Sequence, residues 1–92
     1  MLRIGSSVEY GMRLMVRLAQ EPEGGTLSAE RLSALENVPR DYVDQLLHRL
    51  RRAGLVESRR GAQGGYKLSA KPADIAVGRI VKAVDDGVFE GV

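Results

Sequence analysis

The 92-residue chain has no cysteine and no tryptophan, one histidine (His48), one phenylalanine and three prolines. Without cysteine these residues can form no disulfide, no thiolate nucleophile and no cysteine-ligated zinc or iron–sulfur site. A single histidine cannot build a multi-histidine metal centre. A Ser–His–Asp arrangement would have to use His48, and no GxSxG elbow is present. The glycine-rich stretch GAQGG (61–65) matches neither a phosphate loop nor a dinucleotide fingerprint, and the βαβ context that both need is missing. With no nucleophile–base pair, metal set or cofactor loop, an enzyme is not expected. Long apolar runs are also absent: nothing approaches the ~18 residues that span a membrane. The opening MLRIGSSVEY lacks the basic stretch, apolar run and small-residue cleavage site of a signal peptide. A cytoplasmic protein without a membrane partner is expected.

Hydrophobic residues make up 43% of the chain, enough to argue against disorder. The length fits one domain, and a chain of this size buries roughly 60–65% of its unfolded surface. The formal charge is only +2, but it is unevenly spread. Residues 38–71 carry eight basic side chains (Arg40, Arg49, Arg51, Arg52, Arg59, Arg60, Lys67 and Lys71) against three acids (Asp41, Asp44 and Glu57), a net of +5. The remainder nets −3. A basic middle between acidic ends suggests one positive surface facing a polyanion, although an arginine-rich solvated surface would give the same count.

Apolar spacing at Val8, Met12, Met15, Val16 and Ala19 predicts a first helix over 6–20, with Ser6 or Ser7 as its cap. EPEGG (21–25) reads as a loop. Ser28 caps a second helix from Ala29 to about Glu36, with Leu32 and Leu35 inward and Asn37 as a left-handed stop. Pro39 suits the first position of a third helix, which runs to about Ala53 with Gly54 closing it. At 100° per residue, Tyr42, Val43, Leu46, Leu47, Leu50 and Ala53 share one side of that helix. Asp41, Asp44, Gln45, His48 and Arg52 share the other, flanked by Arg49 and Arg51. LVESRR (55–60) and YKLSA (66–70) read as two strands around a glycine-rich turn. Val77, Ile80, Val81 and Val84 have the spacing of a last helix ending near Asp86. Helix, helix, tight turn, helix, basic hairpin, helix is the order of a winged helix-turn-helix, mainly α with a small β-hairpin. The helix-turn-helix covers about 28–53 and the wing about 55–70.

The second helix of such a motif enters the major groove of a DNA duplex, with residues near its N-terminus at base edges. Those residues here are Arg40, Asp41, Asp44 and Gln45, with His48 as a further candidate or a bystander. Gln45 can pair bidentately with adenine, and an aspartate can accept from the amino group of cytosine. Two acids in a positive region would only weaken general phosphate binding, so they point to sequence preference. Their other reading is a favourable position beside the positive end of the helix dipole. Arg59 and Arg60 suit phosphates or a narrow minor groove, and Gln63 stands at the wing tip. Gly61, Gly64 and Gly65 allow positive φ and close backbone approach to DNA, or serve the turn alone. Arg49, Arg51 and Arg52 suit phosphates, solvent or the negative end of the helix. Tyr42 and Tyr66 read as packing residues. The competing class is a winged-helix module that binds protein through the same basic face.

Three stretches carry a more specific signal: VEYGMRLMVRLA, LSAERLSALENVPRDYVDQLLHRLRRAGLVES and RRGAQGGYKLSAKPADIAVGRIVKAVDDG. RGxxGGYxL followed by PxxIxVxxIVxAV resembles the winged helix-turn-helix transcription regulators of the family of the iron–sulfur cluster regulator IscR and the nitric-oxide-sensing repressor NsrR. The resemblance covers almost the whole chain. It implies a symmetric homodimer, with repression as the expected mode, on a partly palindromic stretch of double-stranded DNA. It implies recognition-helix contacts at Asp41, Asp44 and Gln45, a phosphate contact at Tyr42, and wing contacts at Ser58, Arg60, Gly61 and the residues around Gln63 and Gly64. Several members of the family carry a 2Fe–2S or 4Fe–4S cluster on three cysteines beyond the last helix. In some, the fourth ligand is an acidic residue near the start of the first helix, a position that Glu9 matches. The chain stops at Val92, about where that cysteine region and the long dimerisation helix would begin. No cofactor is therefore expected on these residues, and a cluster only if a longer parent supplies cysteines. Glu9 also stands four residues before Arg13, the spacing of an exposed ion pair.

Overall fold

The computed structural model describes residues 5–62 and 64–85. Four helices, α1 (Ser6–Ala19), α2 (Ala29–Glu36), α3 (Arg40–Arg52) and α4 (Val77–Val84), enclose one core. An antiparallel hairpin, β1 (Val56–Arg59) and β2 (Gly65–Leu68), projects between α3 and α4, and a 3-10 turn at Pro72–Asp74 leads into α4. This is a winged helix-turn-helix. Among the described residues no helix is long and apolar enough to cross a membrane.

Helix α3 forms the centre of the core. Val43, Leu46, Leu47 and Leu50 are all 0–1% exposed, as its sequence wheel predicts. They pack with Leu32 of α2, Leu14 and Leu18 of α1, Leu55, Val56, and Ile80 and Val84 of α4. Helix α2 starts as expected, with the Ser28 hydroxyl accepting from the Arg31 amide at 3.0 Å. It ends at Asn37 in the left-handed conformation, φ 53°. The turn that follows is closed twice: the Val38 amide donates to the Ser33 carbonyl at 3.1 Å, and the Ser33 hydroxyl donates back to the Val38 carbonyl. That double closure sets the angle between α2 and α3.

Helix α1 departs from its expected face. Its buried residues are Ser7, Val8, Gly11, Leu14, Met15 and Leu18, while Val16 is 51% exposed. The centre of the inward face is Gly11, whose absent Cβ would lie 2.9 Å from a Val84 methyl. Apolar residues lie on most sides of this helix, so the expected stripe left out Leu14 and Leu18, both buried beside Gly11. The expected caps also move. Gly5 is the N-cap of α1, and Ser6 and Ser7 lie inside the helix, Ser7 fully buried. Pro39 is the N-cap of α3 rather than its first residue. Both strands are shorter than expected because pairing runs only from Val56–Leu68 to Arg59–Gly65. Leu35 is half-buried. In α4, Ile80 and Val84 are buried, but Val77, the first residue of the helix, is 58% exposed although it shares their side. The expected helix end at Asp86 lies outside the described residues, and Val84 is the last helical residue.

The wing is tied to the rest of the domain by a contact with no signature in the sequence. Tyr66 of β2 exchanges two backbone hydrogen bonds with Leu27, at 2.7 and 3.0 Å, so the segment before α2 acts as a third short strand. Gly65 makes this possible. Its φ is 155°, and a Cβ there would sit 2.7 Å from the Leu27 carbonyl. Gly65→Ala is expected to lower stability by about 1–3 kcal/mol through that clash and the strained φ. Gly78→Ala, with no atom within 4 Å of its added Cβ, is expected to be neutral or stabilising by up to about 1 kcal/mol. Thermal unfolding of the two variants checks the contrast.

Candidate nucleic-acid interface

Burial of the apolar side of α3 turns Arg40, Asp41, Asp44, Gln45, His48 and Arg52 outward, and all six are exposed. Pro39 and the closed turn hold the start of the helix clear of the core. Near that end the Arg40 guanidinium donates to the Asp44 carboxylate at 3.2 Å. Asp44 therefore stands on the surface as half of an exposed ion pair, which moderates its repulsion of a nearby anion. Tyr42 is half-buried: its ring meets Tyr10 edge-on, with centroids 5.9 Å apart, and its hydroxyl shares a 3.3 Å hydrogen bond with Ser6. The packing role read from the sequence is observed, and the hydroxyl lies at the seam between α1 and α3.

On the wing, Ser58, Arg59, Arg60 and Gly61 are exposed. Gly61 takes φ 109°, as expected at the turn. At Gly64 an added Cβ would collide with the Arg59 carbonyl and lie 2.9 Å from the Gly61 carbonyl. The Gly64 amide donates to that Gly61 oxygen at 2.9 Å, pulling the turn tight. The protein's own backbone thus accounts for both Gly64 and Gly65. Gln63 lies outside the described residues. At the base of the wing, Lys67 pairs across the strands with Glu57 at 3.3 Å.

The arginines separate into two groups that composition could not distinguish. Arg13, Arg17 and Arg40 pair with Glu9, Glu36 and Asp44. Arg79 donates to the Ala53 carbonyl at the end of α3 (3.0 Å), and Arg49 donates to the Val84 carbonyl at the end of α4 (3.2 Å). Arg49, expected to face phosphate or solvent, is instead a half-buried link between two helices, because it flanks the apolar side of α3 where α4 packs. Arg51, Arg52, Arg59 and Arg60 are exposed, and their side chains meet no partner among the described residues. Arg31 is in the same state. It was not singled out in the sequence because it lies outside the basic middle, in the first turn of an acidic helix.

Element order and topology place the chain in the class of winged helix-turn-helix domains. The match to known proteins is specific. Residues 4–90 fit the model of the Rrf2 family, described as iron-dependent transcriptional regulators, and the chain belongs to that family. It is 37% identical over 87 residues to the transcriptional regulator IscR of Aliivibrio salmonicida, covering 95% of this chain and 52% of that protein. Among solved structures, the global cysteine regulator CymR of B. subtilis superposes with a TM-score of 0.87 at 38% identity, over 92% of this chain and 66% of the other. IscR of T. potens superposes with a TM-score of 0.85 at 39% identity, over 91% and 61%. The chain spans about half to three fifths of the length of the curated relatives it matches. The family and these relatives are transcription regulators, not enzymes.

The iron–sulfur cluster that the resemblance associates with some members does not fit the residues present. The chain has no cysteine. The Glu9 carboxylate is bound to Arg13 at 2.9 Å, in the exposed i, i+4 pair its spacing suggests. Among the described residues, no three His, Cys, Asp or Glu side chains are grouped closely enough to hold a metal ion.

The two arginine groups predict opposite responses. Arg49→Ala is expected to cost about 1–3 kcal/mol of stability through loss of a charged hydrogen bond to a helix end. Arg52→Ala is expected to leave the melting temperature within error, since nothing in the described structure depends on it. Calorimetric or circular-dichroism melts of both variants decide this.

Proposed function

We propose that this domain binds double-stranded DNA sequence-specifically, with α3 in the major groove and the wing against the neighbouring backbone or minor groove. The observation that carries the reading is the two-sided character of α3. Its inner side is sealed at 0–1% exposure, and its outer side presents Asp41, Asp44 and Gln45 beside a wing whose Arg59 and Arg60 have no partner among the described residues. A major groove admits one helix, and its base edges offer the donors and acceptors that amide and carboxylate side chains can read. In this pose Gln45 reads adenine. Asp41 and Asp44 test for cytosine amino groups, with Arg40 next to them for guanine or phosphate. Tyr42, Ser58, Arg59, Arg60, Gly61, Gln63 and Gly64 line the flanking backbone.

One such helix reads only a few base pairs, too short a site to be distinctive in a genome. A homodimer placing two copies one helical turn apart on a partly palindromic operator supplies the missing information. The proposed setting is the bacterial cytoplasm, and the proposed mode is repression, since a protein seated on both groove and backbone obstructs other proteins at that site. The likeness to IscR and CymR supports a regulator of this kind.

Two measurements test the reading. Duplex affinity of the parent should fall steeply with salt, by about 0.9 in log–log slope for each phosphate neutralised. No duplex binding at low salt would reject DNA as the partner and favour a protein. Gln45→Ala should relax base preference by about 1–3 kcal/mol, whereas Arg60→Ala should weaken selected and random duplexes alike and reduce the salt slope. Two variants that both bind and discriminate like the parent would place the interface elsewhere.

A further inference from the structure

The wing arginines lie beside a third, unassigned cation. Arg59 and Arg60 of the wing and Arg31 of α2 line the same open cleft of about 690 Å³. These three side chains come from two parts of the chain: the first turn of α2, and the end of β1 with the residue after it. The Leu27–Tyr66 bridge holds those two parts together, because it joins the segment before α2 to the strand after the wing turn. None of the three guanidiniums has a partner among the described residues, a state shared by Arg51 and Arg52 at the end of α3, whereas Arg13, Arg17, Arg40, Arg49 and Arg79 are ion-paired or bound to carbonyls. One acid, Glu21, also lines the cleft. Like charges that face one space without partners repel one another, so this arrangement is favourable only when an anion enters. Guanidinium forks suit phosphate oxygens in particular.

We infer that this cleft is a clamp for a backbone phosphate of the bound duplex, and that Arg31 is a DNA contact outside both the recognition helix and the wing. The inference rests on the proposed DNA binding and extends its footprint past the wing, toward the start of α2. The duplex is favoured over a free anion because the cleft is open to solvent and continuous with the wing surface, so a phosphate can reach it while still joined to the chain that the wing follows. In this position Arg31 contributes affinity rather than sequence preference, since a phosphate looks the same at every step.

The test compares Arg31→Ala and Arg31→Lys with Arg60→Ala, using a duplex selected by the parent from a random pool and an unselected duplex, each across a salt series. The expected result for Arg31→Ala is roughly five- to tenfold weaker binding to both duplexes, with a salt slope shallower by about one. Arg31→Lys should restore the slope, because it restores the charge. Melting temperatures equal to the parent's show that the loss is not one of folding. If Arg31→Ala binds like the parent while Arg60→Ala is weakened, the clamp is wrong and the DNA reading stands. If Arg31→Ala, Arg60→Ala and Gln45→Ala all bind like the parent, or the parent binds no duplex, the DNA reading itself fails. If inorganic phosphate raises the melting temperature of the parent but not of Arg31→Ala, and DNA affinity is the same for both, the cleft holds a free anion and the duplex assignment is overturned.

Discussion

The rotation of α3 about its own axis is the constraint on which the rest of the surface depends. Four side chains, Val43, Leu46, Leu47 and Leu50, are sealed by α1, α2, β1 and α4. A change of one residue in register would turn the helix by about 100° and bury charged side chains where leucines now sit. Burying an unpaired charge is far costlier than any surface contact is worth. The core therefore fixes which polar residues face outward, and it does so before any partner is present. The turn between α2 and α3 adds the second coordinate: with Asn37 left-handed and Ser33 bonded twice to Val38, the direction of α3 relative to α2 has little freedom.

The wing depends on backbone bonds more than on side-chain packing. A two-stranded hairpin is marginal by itself in water. Here it gains a third partner at Leu27 and a further bond from the Ser69 amide to the Leu55 carbonyl at 3.0 Å. Tyr66 and Leu68 pack on the core from the same strand. This support leaves Arg59 and Arg60 at the outer end with no structural duty. The division of labour among the arginines follows. Those beside a helix end or an acid brace the domain, and those on the wing, at the end of α3 and at the start of α2 meet no partner among the described residues.

Much of this was legible in the residues. The period of α3, the Ser28 cap, Asn37 and Gly54 each carry a local physical signal, and each stands where that signal puts it. The features that were not legible are those decided by distant parts of the chain. Apolar residues lie on most sides of α1, so period alone does not choose the row through Gly11, Leu14 and Leu18 that packs inward. Arg49 resembles its neighbours Arg51 and Arg52 in sequence, and only the packing of α4 separates them. The pairing of Leu27 with Tyr66 joins segments 39 residues apart and uses backbone groups that every residue possesses. Arg31 was passed over because a count of charge along the chain does not reveal which charges meet in space.

The crossed bonds between α3 and α4 have an entropic consequence. Arg79 reaches from α4 to the last turn of α3, and Arg49 reaches from α3 to the last turn of α4, so each helix ties off the other. Association charges a penalty for every segment that must be immobilised on contact. Helix α3 has met that penalty during folding, together with the helix that braces it. On the proposed reading, only the exposed arginine side chains are left to be ordered by contact with a duplex, and the framework that carries them is already stiff.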